Sequence, residues 1–594
     1  MPERGGDHAV QIYNAPLEDY RFLLETLDYA SVQKLPGYQD YDLDTVMSLL
    51  AAGDTFCREV ALPLNRVGDR DGIKYDPATQ TVKLPAGFRS LYERYVEGGF
   101  ASLGHDPAFG GGGAPHTVAV LVNEMVTATN KSFSMCPGLS QGLIEAISHH
   151  GTDDQRQRYL PKLIAGEWTG TMCLTEPQCG TDLGLLSTRA VPEGDLYRLT
   201  GTKIWITFGE HDLAENIIHL VLARLPDAPP GIKGISVFAV PKMLPDGTQN
   251  AISCSGVEHK MGIHASPTCV MTLDGALGEL IGEPHRGMRA MFTMMNVARL
   301  NVGLEGIALG DIAYQTAVAF ARDRRQGRAP DPEKRDRSAS ADNILVHPDV
   351  RRMLLEIKST NEAMRALALW TSLQIDVAMR HEDPAERESA ADLAALLTPV
   401  VKSYCTERGF FNVSLAMQVC GGSGFTVDWS IEQYLRDLRI AMIYEGTNHI
   451  QALDLVGRKV PADGGRGYRA WSKRIRGFCA AHEGDATLAE IVTPLKHAIE
   501  TLDGLTKWLA SGEADGESVG AAASSYLNAF ALTALGYMWG LQAVSARGRT
   551  TAHAAVKAKS ARYYVHHVMP EIDVLARIAR EGKRHVMAVE PDEF

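Results

Sequence analysis

Residues 172–184 read Met-Cys-Leu-Thr-Glu-Pro-Gln-Cys-Gly-Thr-Asp-Leu-Gly, and the period of the sequence changes on either side of them. The stretch packs two threonines, two glycines, a glutamate and an aspartate into one turn. Such a turn brings backbone N–H groups and hydroxyls together where an anion could sit, a density of special residues that a plain polar hairpin does not require. Downstream, LYRLTGTKIWIT (196–207), IIHLVLARL (217–225), GISVFAV (234–240) and CVMTL (269–273) are rich in β-branched residues and bounded by Gly, Pro and Asp, the signature of strands. Upstream, YRFLLETLDYA (20–30), TVMSLLAAGDTFCREVALPL (45–64) and VAVLVNEMVTATNKSF (118–133) space their apolar residues by three and four, as helices do.

Helical spacing returns after the strands. Residues 291–325 are apolar nearly all round, which predicts a buried bundle helix. Residues 329–343 read as a polar, mobile connection, and further helices are expected at 347–381, 386–419 and 447–457. A Pro/Gly-rich break at 460–469 precedes a last helical block, with Ile572, Leu575, Ala576 and Ala579 on one face. The expected fold class is α+β and multidomain: a helical N-terminal domain (1–168), a β-barrel-like middle domain (169–283), a helical-bundle C-terminal domain (284–459) and an additional C-terminal helical region (466–594).

The chain of 594 residues carries 59 Lys and Arg against 72 Asp and Glu, a net charge of −13. This excludes a protein that reads nucleic-acid backbones, which needs clustered basic charge. No run of 18 apolar residues occurs, and the N-terminus lacks a basic stretch followed by an apolar one, so a cytoplasmic protein without a membrane span is expected. The nine cysteines form no CxxC pair and no Cys/His cluster; reduced, mostly buried thiols and no metal site are expected.

Several motifs have competing readings. Gly138-Leu-Ser140-Gln-Gly142 matches a nucleophile elbow, but TNKSFSMCP before it is a poor strand. His149-His150 and His566-His567 are adjacent pairs on helices, whose side chains diverge and suit surface or capping roles better than a metal. The glycines of Phe109–Pro115 permit a phosphate cradle or an ordinary turn, and no Lys-Ser/Thr follows them. Trp205 and Thr207 stand two apart on one strand, hence on one face. Gln418-Val-Cys-Gly-Gly-Ser-Gly-Phe425 is followed by YLRDLR (434–439) and by Ile443-Tyr-Glu-Gly-Thr-Asn448. There a helix reaches Glu445, Gly446 breaks it, and Thr447 can cap the next helix.

Taken together, CLTEPQCGTDLG, WIT, QVCGGSGF and IYEGTN, in that order from about 40 to 458, resemble the flavin-dependent acyl-CoA dehydrogenases. The surplus C-terminal length and the opening NAPLEDYRFLLETL (14–27) are similar to a long subgroup that includes bacterial 3-(methylthio)propionyl-CoA dehydrogenases. The resemblance implies a soluble FAD enzyme that desaturates an acyl-CoA between its α and β carbons and passes electrons to an electron-transfer flavoprotein, as a homodimer or higher oligomer. A methylthio-bearing short chain is the implied substrate, other acyl groups the alternative. An acyl-CoA oxidase and a flavin-bound assembly protein are the rival readings.

By the same resemblance Glu445 is the base. Its N–H, with a flavin ribityl hydroxyl, holds the thioester oxygen. Met172, Leu174, Thr175, Gly180, Thr181, Trp205 and Thr207 border the flavin, Arg324 and the stretch with Gln418, Gly421 and Gly422 reach the pyrophosphate and adenosine side of the flavin of a neighbouring subunit, and Thr447 and His449 are further cofactor-binding residues. Thr181, Arg299 and Gly446 border the acyl-CoA. Some relatives carry the base just before the arginine matched by Arg299; here that position is Ala298. The chain departs from the pattern at Cys179, Asn296, Gln433 and His449, and in the spacing that selects Arg324 over Arg322 or Arg325.

Overall fold

The computed structural model describes residues 10–594, the side chains at 292–294 and 296 excepted, so Asn296 lies outside the described side chains. Contacts group the chain into two units: residues 55–114 with 129–301, and residues 1–54 with 115–128 and 302–594. The helices used below are α1 (Leu17–Thr26), α2 (His116–Thr129), α3 (Lys131–His150), α4 (Gly287–Asp323), α5 (Pro348–Arg380), α6 (Pro384–Cys420), α7 (Asn448–Asp454), α8 (Ala462–His482), α9 (Ala489–Ala510), α10 (Gly516–Ala546), α11 (Ala552–Tyr563) and α12 (Glu571–Glu581).

In the first unit a small hairpin, β1 (Lys74–Asp76) with β2 (Thr81–Lys83), accompanies seven strands: β3 (Trp168–Cys173), β4 (Arg189–Glu193), β5 (Leu196–Thr207), β6 (Asn216–Arg224), β7 (Ile235–Pro241), β8 (Ile252–Val257) and β9 (Thr268–Ile281). They run in the order β3-β6-β4-β5-β9-β7, and β7 pairs back onto β6. The sheet therefore closes into the expected barrel, the β4–β6 seam resting on the single pair Arg189 and Arg224. Val221, Ala223, Phe238, Val240, Leu273 and Ala276 fill the barrel. Ile218, Leu220 and Leu222 point the other way onto Leu143 and Ile147 of α3 and onto Leu160. With both faces covered, β6 is a near-continuous apolar run, as the physics of a doubly covered strand requires.

The glycines at 110–113 make an ordinary turn. The N–H groups of Gly111, Gly112, Gly113 and Ala114 are consumed by the carbonyls of Asp106, Ser102, His105 and Leu103. Gly111 must be glycine because a Cβ there would lie 2.1 Å from the His105 oxygen. Ser140 sits in mid-α3, where its hydroxyl donates to the Cys136 carbonyl and accepts from Gly170 N–H; it is a helix-to-strand rivet, and no nucleophile elbow exists at this position.

The second unit is helical. Here α4 and α6 meet backbone to backbone: a Cβ on Gly306 would lie 2.0 Å from the Cys405 carbonyl, and one on Gly409 would lie 2.4 Å from that of Gly306. The C-terminal helices pack on α5 through Trp370, Trp471, Phe530 and Tyr537, and the Trp539 indole donates to the Ser359 carbonyl at 3.0 Å. In α12, Ile572, Ala576 and Ala579 face inward and Leu575 is half-buried. The break expected at 460–469 is real: Asp463, Gly464 and Gly465 all take left-handed backbone.

Residues 329–343 differ from the loose connection anticipated from their polarity. Buried Asp342 accepts from the N–H groups of Ala329 and Asp336, while Arg328 donates to the carbonyls of Ala339 and Asp336. Charged residues here satisfy the loop's own backbone, which periodicity does not reveal.

Candidate active site

The turn at 172–188 is organised around Glu176. Its carboxylate is buried and accepts from the N–H and hydroxyl of both Ser187 and Thr188 and from the Gln178 amide. Lys203, on β5, donates to it at 2.8 Å and to the Leu174 carbonyl at 3.1 Å. Burial alone would raise the Glu176 carboxyl, but the Lys203 ammonium and the hydroxyls outweigh it and hold the group below the ordinary carboxylate range. The motif's glutamate is therefore a knot that ties turn to strand, and Thr175, Gly180 and Thr181 are left at the surface of that knot. Lys203 was not singled out in the sequence; its one signal is a lysine at an inward-facing position of a strand.

The knot also shapes the strand. Register slips between Lys203 and Ile206, and Trp205 sits in the bulge at φ +63°. A bulky residue with left-handed backbone is uncommon and strained. Its indole is 55% exposed while Ile206 behind it is buried, with Thr207 half-buried beside it. Met172 is buried, Leu174 half-buried and Arg299 buried within the same unit.

Glu445 lies in the helical unit, in a turn between a short 3-10 segment (Arg439–Met442) and α7. It too is a non-glycine residue in left-handed backbone, at φ +54°, followed by Gly446 at φ +85°. The turn is held from its C-terminal side. Lys402 of α6, fully buried, donates to the Gly446 carbonyl at 2.7 Å and to the Asn448 side chain at 3.0 Å. Gln451 donates to the Glu445 carbonyl at 3.2 Å, and the Thr447 hydroxyl caps α7 by accepting from Ile450 N–H. From the N-terminal side, the Tyr444 hydroxyl donates to the carboxylate of Glu305 on α4. Burial, and then the Glu305 carboxylate, push the Tyr444 phenol well above its ordinary range, so it remains a donor. Lys402 and Glu305 are further residues that motif reading passed over.

Of the expected phosphate-side residues, Gly421 and Gly422 lie exposed at the end of α6 with open space where a Cβ would go, beside exposed Gln418. Arg325 is engaged with Asp336 and the Ala341 carbonyl, while Arg322 and Arg324 are exposed. The His449 Nδ1 meets the Ser524 hydroxyl of α10 at 3.0 Å. Cys179 is buried in the turn, Gln433 is buried and donates to Asp437, and Ala298 is half-buried. All nine cysteines are free and buried. Among the described residues there is no His/Cys/Asp/Glu cluster of metal-binding kind and no helix long and apolar enough to cross a membrane.

Family models for the N-terminal, middle and C-terminal domains of acyl-CoA dehydrogenases match residues 57–167, 171–276 and 285–460, and an acetyl-CoA dehydrogenase C-terminal-like model matches 471–590. A 3-methylmercaptopropionyl-CoA dehydrogenase of Ruegeria pomeroyi is 42% identical over 90% of this chain and 91% of that protein. A butyryl-CoA dehydrogenase of Syntrophomonas wolfei is 36% identical over 80% of each. An acyl-CoA dehydrogenase from Bacillus anthracis, solved with FAD, superposes with a TM-score of 0.75 at 21% identity, covering 94% of this chain and 91% of that one. The chain belongs to the acyl-CoA dehydrogenase family, and is an oxidoreductase of that class.

Proposed function

We propose that this chain desaturates 3-(methylthio)propionyl-CoA between the α and β carbons, with Glu445 as the base. The observation that carries the reading is the backbone at Glu445. A glutamate in left-handed backbone, in a turn anchored by Lys402, Gln451 and the Thr447 cap, persists only where its surroundings over-determine it, and strain of this kind gathers at functional sites. The carboxylate takes the proton from the carbon α to the thioester, and the Glu445 N–H stabilises the charge that develops on the thioester oxygen.

FAD fits the residues present. The exposed Trp205 ring offers a flat apolar surface, and Lys203 pairs with Glu176, so that carboxylate is turned inward and the hydroxyls of Thr175 and Thr181 are left on the outside of the turn. When bound, the flavin supplies the acceptor for the β-hydride. Met172, Leu174, Thr175, Gly180, Thr181, Trp205 and Thr207 would hold its ring side. Arg324, Gln418, Gly421, Gly422, Thr447 and His449 (through Nε2) would serve its phosphate and adenosine side, partly across a homo-oligomer interface. That interface is supported by Phe425, 79% exposed beside the two glycines. Thr181, Arg299 and Gly446 would border the acyl-CoA, and an electron-transfer flavoprotein would accept the electrons. The modules are 1–168, 169–283, 284–459 and 466–594. The likeness to the Ruegeria pomeroyi enzyme supports the methylthio substrate over butyryl-CoA.

Purified protein should be yellow, and 3-(methylthio)propionyl-CoA should bleach its visible band in the absence of oxygen, faster than butyryl-CoA or longer thioesters do. Glu445→Gln should slow bleaching by at least about 100-fold, the range set by a positioned general base. A variant as fast as wild type removes Glu445 from the role; a faster response to butyryl-CoA removes the substrate assignment and leaves the class intact.

A further inference from the structure

Glu305 is a carboxylate in the middle of LNVGLEGIALG, an otherwise apolar stretch of α4, and it is 8% exposed. Burying a charge is unfavourable unless it is hydrogen-bonded, so its place on this face needs a partner with a purpose. A partner across 139 residues of sequence is the Tyr444 hydroxyl, which donates to the Glu305 side chain, and a hydrogen bond to a buried polar group is costly to leave unmade.

Three facts join this pair to Glu445. Tyr444 is its immediate neighbour, and Tyr444 N–H is itself fixed by the Ile440 carbonyl at 3.1 Å. Glu445 stands at φ +54°, a conformation that a single unfavourable residue abandons unless both flanks are tied. Finally, the two ties come from one rigid pair of helices. Lys402 on α6 grips the Gly446 carbonyl on one side, Glu305 on α4 grips Tyr444 on the other, and α4 and α6 are locked together at Gly303, Gly306 and Gly409, where a Cβ would collide with facing atoms.

We propose that Glu305 is a positioning residue for the base, acting through Tyr444: it fixes the N-terminal flank of the strained turn and so the aim of the Glu445 carboxylate. The inference rests on Glu445 being the base. It contributes to the rate of proton abstraction and not to the affinity for the thioester, because neither the Glu305 carboxylate nor the Tyr444 hydroxyl is asked to touch CoA.

The test is anaerobic stopped-flow bleaching of the flavin-loaded protein by 3-(methylthio)propionyl-CoA, which separates the limiting rate constant from the dissociation constant. Tyr444→Phe, which removes one oxygen and no volume, and Glu305→Leu should each lower the limiting rate about 10- to 100-fold, the scale of a misaligned catalytic group, with the dissociation constant within about threefold of wild type. Glu305→Gln, which keeps an acceptor for the hydroxyl, should recover most of the rate, and Tyr444→Phe with Glu305→Leu together should be no slower than the worse single variant.

Single variants that bleach at the wild-type rate overturn the assignment, as does Glu305→Gln being as slow as Glu305→Leu. If only the dissociation constant moves, the pair is a binding element and the assignment is likewise wrong. Should Glu305→Leu not fold, Tyr444→Phe decides alone. Failure of wild type to bleach with any acyl-CoA sinks the dehydrogenase reading, an outcome distinct from a wild type that bleaches alongside an equally fast Tyr444→Phe.

Discussion

Lys203 and Glu176 form an enclosed ion pair that holds the 172–188 turn, with side chains 0% and 2% exposed. Removing one partner of such a pair leaves an uncompensated buried charge, whereas removing both is far milder. Lys203→Met should therefore lower stability by about 3–5 kcal/mol in urea unfolding, and adding Glu176→Gln should restore a good part of it. The pH dependence has a definite sign. The folded-state Glu176 carboxyl lies below its ordinary value of 4.5, so its contribution is complete above that value and is lost as the pH falls through it. The deficit of Lys203→Met should shrink on acidification; a deficit that is constant with pH would show that Lys203 acts by packing alone. The Thr447 cap was legible in sequence because its signal is local, a threonine after Glu-Gly at the start of a helix. Glu176 was legible as a residue but not in its role, and Lys203, Lys402 and Glu305 were not legible, because a buried charge is defined by partners tens to hundreds of residues away.

At the scale of elements, the α4–α6 contact sets where Lys402 and Glu305 stand. Gly306→Ala drives a methyl group into helix backbone that no rotamer change can clear, since the nearest atom would be the Cys405 carbonyl at 2.0 Å. Forced overpacking of this kind costs about 1–3 kcal/mol or more. Gly477→Ala in α8 is the contrast, with open space at its Cβ; a helix-interior glycine replaced by alanine there should be neutral or stabilising by up to about 1 kcal/mol. Urea midpoints of the two variants test both, and equal midpoints would deny that α4 and α6 are locked at this crossing. Periodicity found both helices and the strands β5, β6, β7 and β9, because apolar spacing of 3.6 and 2 reports which face is inside, but it passed over β3, β4 and β8 and read Met172 and Cys173, which end β3, as part of the turn. It did not report which glycines meet, nor that β3 lies beside β6 and β5 beside β9, because pairing between strands distant in sequence leaves no local trace. It also mistook the polarity of 329–343 for looseness, when those charges bond the loop to itself.

Across the whole helical unit, the opening segment and the C-terminal addition, which sequence reading connected only by resemblance, are joined by a buried charge cluster. Lys557 of α11 contacts Asp19 of α1 and lies 2.8 Å from Glu362 of α5. Arg365, one turn along from Glu362, binds Asp19, Glu124 and Asp311 at 3.1, 2.8 and 3.1 Å. Lys358 pairs with Glu362, and His553 lies 3.5 Å from Asp19. Four carboxylates thus face Arg365, Lys557 and Lys358, one more negative group than permanent cations. Burial pushes the Glu124 carboxyl up to about 7, against the pull of the Arg365 guanidinium, and the Asp311 and Asp19 carboxylates add to the rise. Asp19 and Glu362 go the other way: burial would raise them, but the Lys557 ammonium and its neighbouring cations hold them below the ordinary carboxylate range. The addition is therefore part of the fold's charge balance. Lys557→Met should lower stability at pH 7.5 by about 3–5 kcal/mol, against less than about 0.5 kcal/mol for the exposed neighbour Lys559→Met. Because the folded-state values of Asp19 and Glu362 are depressed, the stability they contribute is present above pH about 4 and lost below it; the Lys557→Met deficit should accordingly hold in urea titrations between pH 7.5 and about 4.5 and narrow as the pH is taken below about 4. A chain ending at Arg458 carries the same uncompensated carboxylates plus an uncovered Trp370, and should fail to accumulate as folded protein. A soluble truncated chain with a wild-type urea midpoint would mean that α11 merely leans on the bundle and that the cluster is balanced without it.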